Sequence, residues 1–131
     1  MPVAISALYG GILALFIVVL AMNVTLHRVT LRVSLGDGGK PQMHRMIRLH
    51  GSAVEYVPLG VLLMGLYELD GGSPFALHAS GVALILGRLL FVAGVWNHDA
   101  ANPIRGAAAV LTWLVIAALA ILNLWQIRST F

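Results

Sequence analysis

Residues 2–26, PVAISALYGGILALFIVVLAMNVTL, carry no charged side chain. A helix crosses the ~30 Å hydrocarbon layer of a bilayer in about 20 residues, so this stretch reads as a membrane span. No basic residue precedes it, and it is longer than the apolar core of a typical signal peptide, so we expect a retained span. Three more spans follow. Together the four are predicted at about 2–27, 44–68, 74–97 and 104–127. The second contains Glu55 and the third Arg88, while Gly106 to Ile127 is again free of charge.

The composition agrees with this reading. The chain has 131 residues, enough for one domain, with 60% hydrophobic and only 10% charged residues, against roughly 25% charged in soluble domains. So little charge cannot coat a globule, which excludes a soluble monomer and a disordered chain. Cysteine is absent, so there is no disulfide, no thiolate metal site and no nucleophilic cysteine. The net charge of +3 fits the basic side of a membrane protein better than a nucleic-acid partner.

The connections are legible. Gly36-Asp37-Gly38-Gly39-Lys40-Pro41 is a loop signal, Asp70-Gly71-Gly72-Ser73-Pro74 a tight turn, and Asn102-Pro103 an N-cap followed by proline at the first helical position. Arg28, Arg32, Lys40, Arg45 and Arg48 lie around the first connection, Arg105 follows the third, and the second carries only Glu68 and Asp70. The positive-inside rule then makes the first and third connections cytoplasmic and both termini periplasmic in a bacterial inner membrane. The expected fold is all-α: a single domain, 1–131, forming an integral membrane four-helix bundle of up-down topology.

Ionisable groups inside a bilayer are functional candidates. Arg45, Arg48, Ser52 and Glu55 are spaced three, four and three apart, within about 80° of one another on a continuous helix. Interfacial snorkelling accounts for the arginines but not for Glu55. Arg88 lies roughly 14 Å from the cytoplasmic end of its span. It needs a partner or a wet cavity, and Glu55 is the acid we expect it to meet. That pair either ties two helices together or floors a polar pocket. Arg28, Arg48, Arg88 and Arg105 come from all four helices. Such a cluster repels itself unless neutralised, so a small anionic ligand is expected, with lipid phosphate as the alternative.

The histidines carry less. His27, His44 and His98 fall at interfaces, His78 reads as structural, and His50 points about 160° away from the Arg48–Glu55 face. None joins an acid at metal-ligand spacing, so no metal is expected. Nucleotide-binding and nucleophile motifs are absent.

The stretch Arg45-Met46-Ile47-Arg48-Leu49-His50-Gly51-Ser52-Ala53-Val54-Glu55-Tyr56-Val57-Pro58-Leu59 resembles the signature of the membrane-associated proteins in eicosanoid and glutathione metabolism (MAPEG). Gly87-Arg88 and Pro103-Ile104-Arg105 fit the same pattern, and the Gly-Asp-Gly-Gly loop is similar to small bacterial inner-membrane members. The resemblance implies a homotrimer that binds glutathione, as co-substrate, between subunits near the cytoplasmic side. It assigns Arg28, Arg48, Ser52, Glu55 and Arg88 to glutathione binding and Arg105 to stabilising the thiolate. Two departures stand out. Ser52 replaces the family asparagine, and Phe91 and Val95 stand where some members place tyrosines. The implied activity is that of a glutathione transferase or peroxidase acting on hydrophobic electrophiles dissolved in the bilayer. The alternative is a non-catalytic lipid- or glutathione-binding scaffold. A small proton-coupled exporter built on Glu55 is disfavoured by the cations around it.

Overall fold

The computed structural model describes residues 1–128. Its four helices are α1 (Ala4–Leu31), α2 (Pro41–Leu69), α3 (Pro74–Val95) and α4 (Pro103–Ile127). Each is long and apolar enough to cross a membrane. Proline opens α2, α3 and α4, a position where its missing N–H costs nothing. α2 starts at Pro41 rather than near 44, and it runs on through Pro58. Arg45 through Glu55 therefore lie on one unbroken helix.

The helix ends are closed by backbone hydrogen bonds. At the end of α1, Val33 N–H donates to Arg28 O and Arg32 N–H to Val29 O, with Arg32 left-handed at φ 56°. At the end of α2, Gly72 N–H donates to Tyr67 O and Gly71 N–H to Glu68 O. Both are Schellman closures, which satisfy the last carbonyls and turn the chain back. Glu68, expected in the connection, lies in the last turn of α2. Its carboxylate accepts from the Ile5 and Ser6 N–H groups at 2.9 and 2.7 Å. It thereby caps α1, an anion at the positive end of a helix dipole. Nearby, the Tyr9 hydroxyl meets His78 Nδ1 at 3.0 Å, which gives His78 the structural role its position suggested.

α2 packs against the other three helices, and α3 also touches α1 and α4. Two apolar clusters fill the interior. One, around Leu13, Met64, Leu77, Leu84 and Leu119, lies toward the termini. The other, around Leu20, Met43, Met46, Leu49 and Val95, lies toward the α1–α2 and α3–α4 loops. Between them is a thin polar layer of Ser52, Arg88 and Thr112, all buried. Large apolar side chains such as Leu15, Val29, Trp113 and Leu124 face outward. In water that surface would aggregate, whereas a bilayer solvates it.

Candidate functional site

α2, α3 and α4 converge on a cavity of about 400 Å³. Arg48, Ser52 and Tyr56 reach it from α2, Arg88 and Phe91 from α3, and Asn102 and Arg105 from the start of α4. Its volume lies within the usual range for small-molecule sites, roughly 300–1,000 Å³. A second cavity, of about 510 Å³, lies at the loop end of the bundle and includes Lys40, His44, Arg45, His98 and Asp99. Arg48 and Arg105 line both cavities.

Arg88 is only 2% exposed. It donates from one terminal nitrogen to Ser52 Oγ at 2.9 Å and from the other to Thr112 Oγ1 at 2.6 Å. The Tyr56 and Phe91 rings flank the guanidinium, with centroids 5.6 and 5.3 Å away. Arg88 Nε is buried and has no hydrogen-bond partner among the described residues. The expected Glu55–Arg88 contact does not form. Glu55 instead accepts from Arg48 at 3.2 Å, with side chains 52% and 41% exposed. The reason is angular: Ser52 and Glu55 differ by about 60° around α2. Ser52 turns inward toward α3, while Glu55 turns outward beside Arg48.

Arg105 is set by backbone packing. Asn102 Oδ1 accepts from Arg105 N–H at 3.0 Å, the N-cap read from the sequence, and Asn102 Nδ2 donates to Gly94 O at 2.7 Å. A Cβ at residue 94 would lie 2.7 Å from Arg105 N, so only glycine lets α3 approach the start of α4 this closely. Asn102→Ala should cost about 0.5–2 kcal/mol, the usual cost of a lost cap. A thermal melt in detergent checks it; an unchanged midpoint would mean the cap does not hold the loop.

Among the described residues the ion pairs are Arg48–Glu55, Arg45–Asp99 and His44–Asp37. Arg45 also donates to Trp96 O at 3.1 Å, so it ties α2 to the α3–α4 loop. Arg88 and Arg105 are therefore left without a carboxylate. At the loop end, the Gly39 N–H above all, and then His44, hold the Asp37 carboxyl below its ordinary range. Its anion thus stabilises that turn at neutral pH, and the contribution is lost as pH falls through the lowered value.

Of the four arginines expected to cluster, the chain brings three together. Arg28 stands apart within one chain. It donates to Gly36 O at 2.7 Å and lines a shallow depression with Arg32, Val33 and Ser34. The sequence reading passed over Thr112. Its signal was the seven-residue step from Arg105, which places both on one face of α4.

A model of the MAPEG family matches residues 6–125. The chain belongs to the MAPEG family. Inner membrane protein YecN of Escherichia coli strain K12 is 34% identical over 121 residues, 92% of this chain and 91% of the relative. The protein of the same name from a second Escherichia coli strain matches to the same extent. As a MAPEG member this is a membrane protein, and the long apolar helices are its spans. Arg45 to Leu59, which lies within the matched residues, is the segment of α2 that supplies Arg48, Ser52 and Tyr56 to the cavity.

Proposed function

We propose that this MAPEG chain binds glutathione and acts as a glutathione transferase or peroxidase on hydrophobic electrophiles taken from the bilayer. The observation that carries the reading is Arg88, a buried cation that, among the described residues, has no carboxylate beside it and no partner for its Nε. A buried charge of this kind needs compensation. The cavity it borders also holds Arg48 and Arg105 and no acidic residue. A ligand bearing carboxylates suits that wall. Glutathione brings two, together with a thiol whose sulfur can attack an electrophilic centre once it is a thiolate.

The protein's part is electrostatic. Free thiols ionise near about pH 8.5, and an adjacent cation lowers that value, each unit corresponding to about 1.4 kcal/mol. Arg105 is half-buried on the cavity wall, where it can hold the sulfur as thiolate. Arg48 and Arg88 hold the carboxylates, and Glu55 orients Arg48. The outward apolar faces are shared between lipid and neighbouring subunits in a homotrimer, and the co-substrate reaches the site by partition. A second reading, a binder without turnover, draws support from Phe91 on this cavity and Val95 on the loop-end one, neither of which brings a hydroxyl.

Native mass spectrometry of the full chain in mild detergent, with and without glutathione, tests binding and assembly together. Three chains carrying glutathione are expected. A monomer that binds glutathione would reject an inter-subunit site, and a trimer that binds none would reject the ligand. For orientation, Arg28, Arg32, Lys40, Arg45 and Arg48 put the α1–α2 loop in the cytoplasm. Reporter fusions at Lys40 should report cytoplasm and fusions at the C-terminus periplasm. A cytoplasmic C-terminus would place the cavity on the wrong side for cellular glutathione.

A further inference from the structure

We propose that Thr112 is a positioning residue: with Ser52 it fixes the Arg88 guanidinium through neutral hydroxyls, leaving a buried cation free to bind an anionic group of the ligand. The inference rests on the reading of the cavity as a glutathione site, and it adds how the deepest cation there is kept charged and available.

Thr112 is fully buried. Its Oγ1 lies 3.0 Å from Ala108 O and 2.6 Å from the Arg88 terminal nitrogen. A carbonyl oxygen can only accept and a guanidinium can only donate. The hydroxyl proton is therefore committed to Ala108, and the oxygen's lone pairs are turned to Arg88. Ser52 Oγ accepts from the other terminal nitrogen, so the guanidinium is gripped at both ends, by α2 and by α4. The close approach of α4 depends on Gly87, the residue before Arg88. A Cβ there would lie 2.8 Å from Thr112 Oγ1.

The choice of acceptor matters more than the bonds themselves. Carboxylates at positions 52 and 112 would hold the same nitrogens and cancel their charge. Hydroxyls satisfy two donors and cancel nothing. Arg88 Nε remains buried and unpartnered. Glu55, the acid nearest along α2, is turned away to Arg48. None of the described residues supplies the anion that would complete this site, and a carboxylate is the group that matches a guanidinium edge.

The test uses the purified full chain in mild detergent and three probes: glutathione, its diester, which lacks both carboxylates, and inorganic sulfate. Thr112→Val keeps the shape and removes the acceptor. It should weaken glutathione about tenfold or more, as expected for a lost hydrogen bond to a charged group, while leaving the diester nearly unchanged. Thr112→Ser should restore the discrimination. Ser52→Asp installs a counter-ion, so it should also lose glutathione affinity without losing thermal stability. Equal weakening of acid and diester by Thr112→Val would overturn the proposal, as would no weakening or a failure of Thr112→Ser to rescue. If the wild type binds sulfate but not glutathione, and Thr112→Val abolishes sulfate binding, the glutathione reading falls and the clamp stands. A wild type that binds no anion overturns both.

Discussion

Arg105→Ala should lower turnover with a bilayer-soluble electrophile on the order of 10²-fold at neutral pH, with a much smaller change in glutathione affinity. Loss of one preorganised oxyanion-hole donor costs about 10²–10³ in turnover, and a cation beside a thiolate sulfur plays the analogous part. Arg105 is half-buried and lines both cavities, so solvent screening places the effect at the lower end. The asymmetry follows from what the charge does. A cation that stabilises thiolate acts on the reacting state, whereas a cation that only holds ligand raises the Michaelis constant and leaves turnover alone. The pH profile supplies a second readout. Without Arg105 the bound thiol should ionise closer to about pH 8.5, the ordinary thiol value. The variant's rate should therefore recover as pH rises past that point. Steady-state kinetics with glutathione as the varied substrate, repeated across pH, would decide it. Unchanged turnover with a raised Michaelis constant would reassign Arg105 to binding, and an unshifted profile would remove it from thiol activation.

The fold was legible because bilayer thickness converts chain length into structure. A charge-free run such as Pro2–Leu26 can only cross, and Asn102-Pro103 can only begin a helix in the way observed. Position along a span also gives depth, which is why Arg88 stood out. Depth is not direction, however. Glu55 and Arg88 were paired because both are ionisable groups inside spans, yet a turn of about 60° between Ser52 and Glu55 decides which of them meets α3. That angle matters only once α2 and α3 have been set at a particular rotation by packing, including the contact at Gly60, where a Cβ would lie 3.0 Å from Leu84 Cδ1. Thr112 was harder to see. A threonine in an apolar helix can satisfy itself on the carbonyl four residues back, as Thr112 does on Ala108, so its second contact appears only in three dimensions. Arg28 shares an end of the bundle with the other arginines, and within one chain the local Schellman turn takes its side chain to Gly36 and Val33.

Arg88→Met should abolish anion binding, with a loss of about 10²-fold or more, and yet leave the folded bundle as stable as before or more so. The two halves of this expectation come from one fact, that among the described residues the buried guanidinium meets two hydroxyls and no carboxylate. A buried ion without full compensation carries an unreturned desolvation cost. Exchanging buried ionic groups for apolar ones of similar volume is often neutral or stabilising by about 1–4 kcal/mol. Methionine can follow the aliphatic stem of arginine between Tyr56 and Phe91. The hydroxyls it strands are only partly orphaned, since Thr112 keeps its bond to Ala108. If Arg88 instead served chiefly to pin α2 and α4 to α3, removing it would break a buried tie. The melting temperature would then fall by the equivalent of about 3–5 kcal/mol, as when one partner of a buried pair is removed. Thermal melts and glutathione titration on the same detergent-solubilised variant separate the outcomes. Retained stability with lost binding identifies a cation maintained at a cost for a ligand, and lost stability with retained binding makes Arg88 a structural brace and leaves the cavity to Arg48 and Arg105.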